Sequence, residues 1–96
     1  MNTITAAIQN RQPLRFFYDG HMRIVEPHTY GVDVRGHDAL RAYQVAGGSS
    51  SGEFIGWKLF HVSEMGAITL LEDRFSGPRA EYKRGDKVFR TIVAQL

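Results

Sequence analysis

The chain has 96 residues, which suits one small domain, and 43% of them are hydrophobic, too many for a disordered chain. It contains no cysteine, which excludes a disulfide scaffold, a thiolate metal site and a thiol nucleophile. Twelve Lys and Arg against ten Asp and Glu give a formal net charge of +2, and the excess is uneven: Arg79, Lys83, Arg84, Lys87 and Arg90 crowd one stretch that only Glu81 and Asp86 offset.

No apolar run approaches the ~18 residues of a membrane span. The opening Met1-Asn2-Thr3-Ile4 lacks the basic-then-apolar pattern of a signal peptide. A reducing cytoplasm and no membrane association are therefore expected.

Thr3 to Arg11 reads as a helix. Asn2 or Thr3 supplies a cap, Ile4, Ala7 and Ile8 fall on one face, and Pro13 ends it. Two turns are too few to be stable alone, so the helix must dock. Strand signals follow. Leu14 to Tyr18 runs into Asp19-Gly20, a strong hairpin turn between apolar runs. His21 to Glu26 is the next strand, ended by Pro27. A third strand runs from His28 to Val34, with Tyr30, Val32 and Val34 on one face. After the turn at 35–38 comes Ala39 to Val45. Residues 46–52, rich in Gly and Ser, read as a flexible hairpin loop. Ile55 to Val62 returns from it, Ser63 to Gly66 turn, and Ala67 to Leu71 is another short strand. Phe89 to Gln95 fits either a closing strand or a short helix.

The predicted organisation is a single domain over 1–96: an N-terminal helix in 1–13, strands in 14–71 and a C-terminal extension in 72–96. One short helix and several short strands predict a mainly β fold, a small barrel or a curled sheet. Two strands carry apolar residues on both faces. Leu40 and Ala42 oppose Tyr43 and Val45; Trp57 and Leu59 oppose Phe60 and Val62. A half-exposed strand would alternate apolar with polar. Both faces should therefore be covered, one by the core and the other by the helix, the tail, a partner or a ligand.

The order of these segments resembles the WYL domain of bacterial regulators. Ala6-Ala7-Ile8 with Leu14 to Tyr18 is similar to the family's opening helix and strand. Arg23-Ile24-Val25-Glu26-Pro27 looks like its Arg-x-Val-x-Pro element. Leu40-Arg41-Ala42-Tyr43 falls at the name motif, and Lys58 to Met65 at the Arg-x-Phe-x-Leu-Asp-Arg-Ile element. The likeness covers about residues 4–80. Asp38-Ala39-Leu40 stands for Trp-Tyr-Leu, Lys58 for the first Arg of the later element and Glu64 for its second. The resemblance implies an Sm-like (SH3-type) barrel of about five antiparallel strands that senses a ligand, a nucleotide or a single-stranded nucleic acid. With no helix-turn-helix ahead of the domain, a DNA-reading half would be expected on a partner chain.

Candidate binding residues follow. Arg23 and Arg41 sit in otherwise apolar strands, where an unpaired cation is costly and a bidentate grip on phosphate is a good use of one. The alternative is an internal ion pair with Glu26, Asp33 or Asp38. Lys58 would join them in one basic groove. Tyr30, Tyr43 and Trp57 offer stacking surfaces or fill the core, core being favoured for Trp57. His28 and His61 could hydrogen-bond a ligand. Lys83, Arg84 and Lys87 suit a nucleic-acid backbone, or are a solvated surface.

No His-x-x-x-His or His-Glu-x-x-His spacing is present, so no metal or cofactor is expected. No Gly-x-Ser-x-Gly elbow occurs, and the serines cluster in a flexible stretch, so the chain does not read as an enzyme. The competing function is an interaction module, including a homo-oligomer formed through strand edges.

Overall fold

In a computed structural model that describes residues 2–96, the chain is mainly β, with one short helix ahead of a six-stranded antiparallel sheet. Helix α1 spans Thr3–Asn10, and the Asn2 side chain caps it by accepting from the Thr5 N–H at 3.1 Å. Its end comes earlier than Pro13. Arg11 takes the left-handed conformation and closes the last turn with its N–H on Ala7 and Ile8 carbonyls. Ile4, Ala7 and Ile8 are buried, so the apolar face docks as its spacing predicts.

The strands are β1 (Leu14–Tyr18), β2 (His21–Asp33), β3 (Asp38–Gly47), β4 (Gly56–His61), β5 (Gly66–Leu70) and β6 (Phe89–Gln95). Asp19 and Gly20 both take positive φ and join β1 to β2 as a two-residue hairpin. The tail segment 89–95 is a strand.

The two strands expected on either side of Pro27 are one thirteen-residue strand, β2. Proline has no N–H, which should break a central ladder. Here it costs nothing, because it falls where β2 changes neighbours. Residues 21–25 pair with β1, residues 29–33 pair with β6, and the gap between them holds Pro27. On its other side β2 keeps pairing with β3 through Pro27↔Ala42. Gly31 permits the second neighbour's approach: a Cβ there would lie 2.0 Å from the Thr91 carbonyl oxygen.

The hydrogen-bonded path runs β4-β3-β2-β1-β5, with β6 on β2. In a flat sheet β1 and β4 would stand roughly 14 Å apart, three strand spacings of about 4.8 Å. Yet the Phe16 and Phe60 rings, from β1 and β4, lie 4.9 Å apart edge to face, and the His61 N–H donates to the Tyr18 hydroxyl at 3.1 Å. The sheet is therefore strongly curled. Its concave side holds the core of Leu14, Phe16, Val25, Leu40, Ala42 and Phe60, closed at one end by α1.

The convex side of β2, β3 and β4 is covered as well. The irregular segment 71–88 crosses it as an arm. Two contacts with the end of α1 start the arm: Leu71 N–H donates to the Pro13 carbonyl at 3.0 Å and Phe75 N–H to the Arg11 carbonyl at 2.9 Å. Of the coverings that the two-sided apolar strands allow, the tail is the one found here. No helix among the described residues is long and apolar enough to cross a membrane.

Candidate functional site

A β-bulge at His28 organises the convex face. Pro27 pairs with Ala42 and Thr29 with Arg41, so His28 is an extra residue without a partner on β3. A bulge re-aims side chains. His28 and Thr29, which a regular strand would send to opposite faces, both reach Tyr82 of the arm. Glu26 also lies on this face, opposite Tyr43.

His28 is completely buried. Its Nδ1 lies 2.8 Å from the Glu26 carbonyl oxygen, and its Nε2 accepts from the Arg79 N–H at 3.1 Å. This pairing needs the neutral ring with its proton on Nδ1. Burial lowers its pKa below 6.5, and the nearby Arg79 charge adds to that, while the Glu26 carbonyl and carboxylate partly offset it. Trp57, Phe75 and Tyr82 surround the ring. His28 is therefore a rivet between sheet and arm, and its nitrogens are unavailable to a ligand.

Two ion pairs fasten the same layer. The Arg79 guanidinium donates twice to the Glu26 carboxylate, at 2.7 and 3.0 Å, and lies 4.7 Å from the Tyr43 ring centroid. That hydrogen-bonded contact raises the already high Arg79 pKa. Arg41 Nε donates to Asp86 Oδ2 at 2.7 Å. Burial pushes the Asp86 pKa up, but the Arg41 hydrogen bond and charge, with the Val88 N–H, outweigh it and hold the carboxyl below its usual value.

Trp57 stands between two recesses. One, of ≈ 200 Å³, is lined by Arg41, Tyr82, Lys83 and Asp86; the other, of ≈ 360 Å³, by Tyr43, Arg79 and Ala80. Trp57 and Glu81 belong to both. Trp57 is half-buried, and its Nε1 donates to the Ala80 carbonyl. A third depression, formed by residues 83–87, continues from the first past Lys83 and Asp86. The result is a groove with an aromatic floor and a basic end. Neither Lys83 nor Lys87 forms an ion pair among the described residues.

The residues picked out in the sequence do not all meet here. Arg41 and Tyr43 line the groove, His28 lies beneath it, and Lys83, Arg84 and Lys87 form its basic end. Arg23 is elsewhere. It is only 4% exposed, donates to Gln44 Oε1 and the Tyr18 carbonyl, and lies against the Tyr18 and Phe60 rings in the concave core. Its Nε has no partner. Tyr30 is likewise in that core. Lys58 donates to the Glu53 carbonyl in the loop before β4. His61 ends β4 and contacts His37 and Glu64. The expected convergence of Arg23, Arg41 and Lys58 therefore does not occur. Arg23 and Lys58 hydrogen-bond neutral acceptors, and Arg41 finds a carboxylate 45 residues away, none of the three candidates.

Tyr82 and Asp86 are groove residues that the sequence did not single out. Their one signal is position: both lie inside the basic stretch, where an aromatic and an acid break the run of cations. Comparison of the chain with protein-family models, with curated proteins and with solved structures finds no match.

Proposed function

We propose that the chain is a non-enzymatic binding module of the WYL type whose ligand is a nucleotide or a short single-stranded nucleic acid. Trp57 and Tyr43 would receive a base, and Lys83 and Lys87 the phosphates beside it. The observation that carries this reading is a half-buried Trp57 between two recesses, one lined by Lys83 and continuing to Lys87, two lysines with no carboxylate partner among the described residues. Stacking is sequence-tolerant because every base has a π face, and unpaired cations supply the attraction to phosphate. The recesses, ≈ 200 and ≈ 360 Å³, lie below and at the lower end of the ~300–1,000 Å³ of small-molecule pockets, which suits a surface groove reading one or two bases. The WYL resemblance points the same way.

The ion pairs limit the electrostatics. Arg41 and Arg79 already hold carboxylates, so two or three cations are left for phosphate. Two or three phosphate contacts on a single strand correspond to a log–log salt slope of about −1.4 to −2.1. Trp57 is the only tryptophan, so its fluorescence reports directly on the groove. Labelled oligonucleotides and nucleotides should quench it in a salt-dependent way. Trp57→Ala should cost about 1–3 kcal/mol of binding, and a Lys83→Ala, Lys87→Ala double variant should flatten the salt slope. Absence of quenching at low salt would end this reading.

A second reading, pairing with another copy or with a chain that carries a DNA-binding domain, rests on the sheet edges. β4 and β5 each pair on one side only, and Phe54 and Ile55 are exposed just ahead of β4. A strict monomer at high concentration in light scattering would remove the homo-oligomeric form of it.

A further inference from the structure

At the turn between β2 and β3, three side chains that can ligate a metal and that do not line the groove meet. Asp33 is the last residue of β2, His37 lies in the turn and His61 is the last residue of β4. The topology brings them together. β3 pairs with β4 through Ala39↔His61, so the end of β4 lies beside the turn that leads into β3. One ligand atom from each of the three lies within 4.8 Å of the other two.

The geometry of the cluster is directional. Asp33 Oδ1 accepts the Arg35 and His37 N–H groups, both at 2.9 Å, which fixes the carboxylate at the base of the turn. Its other oxygen, Oδ2, lies 3.7 Å from His37 Nδ1. The Asp33 side chain is 7% exposed while that of His37 is 52% exposed, so a buried carboxylate sits under accessible imidazoles. The His37 and His61 rings lie 4.9 Å apart, tilted by 37° and not stacked in parallel. Glu64 Oε2 stands 3.6 Å from His61 Nδ1, as a carboxylate that orients a ligating imidazole does.

We propose that Asp33, His37 and His61 form a binding site for a borderline divalent transition-metal ion such as zinc, which staples the β2–β3 turn to the end of β4. Two imidazoles and one carboxylate suit this class of ion. Calcium and magnesium, which take oxygen ligands, do not fit it. Tetrahedral bonds of about 2.0–2.1 Å put ligand atoms roughly 3.3–3.5 Å apart. The cluster needs a contraction of up to about 1.3–1.5 Å at its widest, within the reach of an exposed imidazole turning about its side-chain bonds. Three protein ligands leave a fourth position for water. The pattern escapes a motif search because its sequence-local part is Asp33-x-x-x-His37 and its third member lies on another strand.

The test uses the whole chain, stripped with chelator and titrated with zinc by calorimetry, and with cobalt(II) by visible absorption. The expected result is one ion per chain, a tetrahedral cobalt spectrum and a melting temperature raised by zinc. His37→Ala and His61→Ala should each weaken zinc binding by roughly tenfold or more. His21→Ala, a histidine outside the cluster, should leave it unchanged. Should either site variant fold poorly, His37→Gln and His61→Gln give the same readout with less disturbance. No zinc binding at millimolar concentration overturns the proposal. So does binding that survives both site substitutions or is lost with His21→Ala, since the ion would then lie elsewhere.

Discussion

The two faces of the curled sheet are covered by different physics. The concave side is held by apolar burial: α1, Leu14, Phe16, Val25, Leu40 and Phe60 fill it, and its aromatic contacts are edge-to-face rings. The convex side is covered by an arm without regular structure. Such a segment has no ladder to pair all of its backbone groups, and burying them unpaired is costly. Side chains on or near the sheet do it instead: His28 for the Arg79 N–H, Trp57 for the Ala80 carbonyl, Gln12 for the Leu71 carbonyl. The first face is tolerant of chemistry and strict about volume. The second is strict about which atom donates and which accepts. The groove is built on the second.

The largest expected effect lies on the concave side. Phe60 is 1% exposed and meets both Phe16 and Tyr18 at 4.9 Å. Phe60→Ala should cost about 3–5 kcal/mol, since the cavity adds to the lost burial. For a domain of this size that is a large share of the total. Urea titrations would measure it, and a loss near 1 kcal/mol would mean that the curl does not depend on this cluster.

His28→Ala comes next. It leaves the Arg79 N–H and the Glu26 carbonyl without their partner, at about 2–3 kcal/mol for the two together after water enters. It should also release the arm, so Trp57 fluorescence should shift where Phe60→Leu leaves it in place. The same residue gives the convex face a pH dependence. Because the folded-state pKa of His28 lies below 6.5, the unfolded chain binds the proton first as pH falls. Stability from this group is complete above 6.5 and declines as pH drops below it, until the folded ring titrates as well. Asp33 and Asp86 are held below 3.8, Asp33 first by the His37 N–H and Asp86 by Arg41 and Val88 against burial. Their contribution is lost only below that value. Stability measured between the two onsets should slope in the parent chain and flatten in His28→Ala; equal slopes would show that the arm is not riveted by a neutral imidazole.

Much of the concave face is legible in the sequence. Asp19-Gly20 marks its hairpin, and Ile4, Ala7 and Ile8 mark the docking face of α1. The two-sided apolar pattern even announces that the convex face is covered. What covers it is not legible, because residues 71–88 have no periodicity to read. Pro27 misleads for a related reason. Its meaning depends on which strand lies beside it, and β6 arrives only at the end of the chain. Arg41 and Asp86 are 45 residues apart, and Arg79 and Glu26 are 53 apart. Long-range polar pairing is set by the fold, so Arg41 and Arg79 read as unpaired cations in the sequence and hold carboxylates in the structure.

The smallest effects separate the two ion pairs of the convex face. The Glu26 side chain is 11% exposed and accepts two bonds from Arg79. Arg79→Ala strands a nearly buried carboxylate and should cost about 1–2 kcal/mol, less than a fully buried pair because Arg79 itself is open to solvent. Arg41 and Asp86 are both more exposed than Glu26 and share one contact. Arg41→Ala should therefore cost about 0.5–1 kcal/mol and lose part of that in salt. Double-mutant cycles on each pair give the coupling directly. If the Arg41–Asp86 coupling proved the larger, the arm would be held chiefly at its distal end, beside Lys83 and Lys87, and the bulge at His28 would be a consequence of that docking and not its anchor.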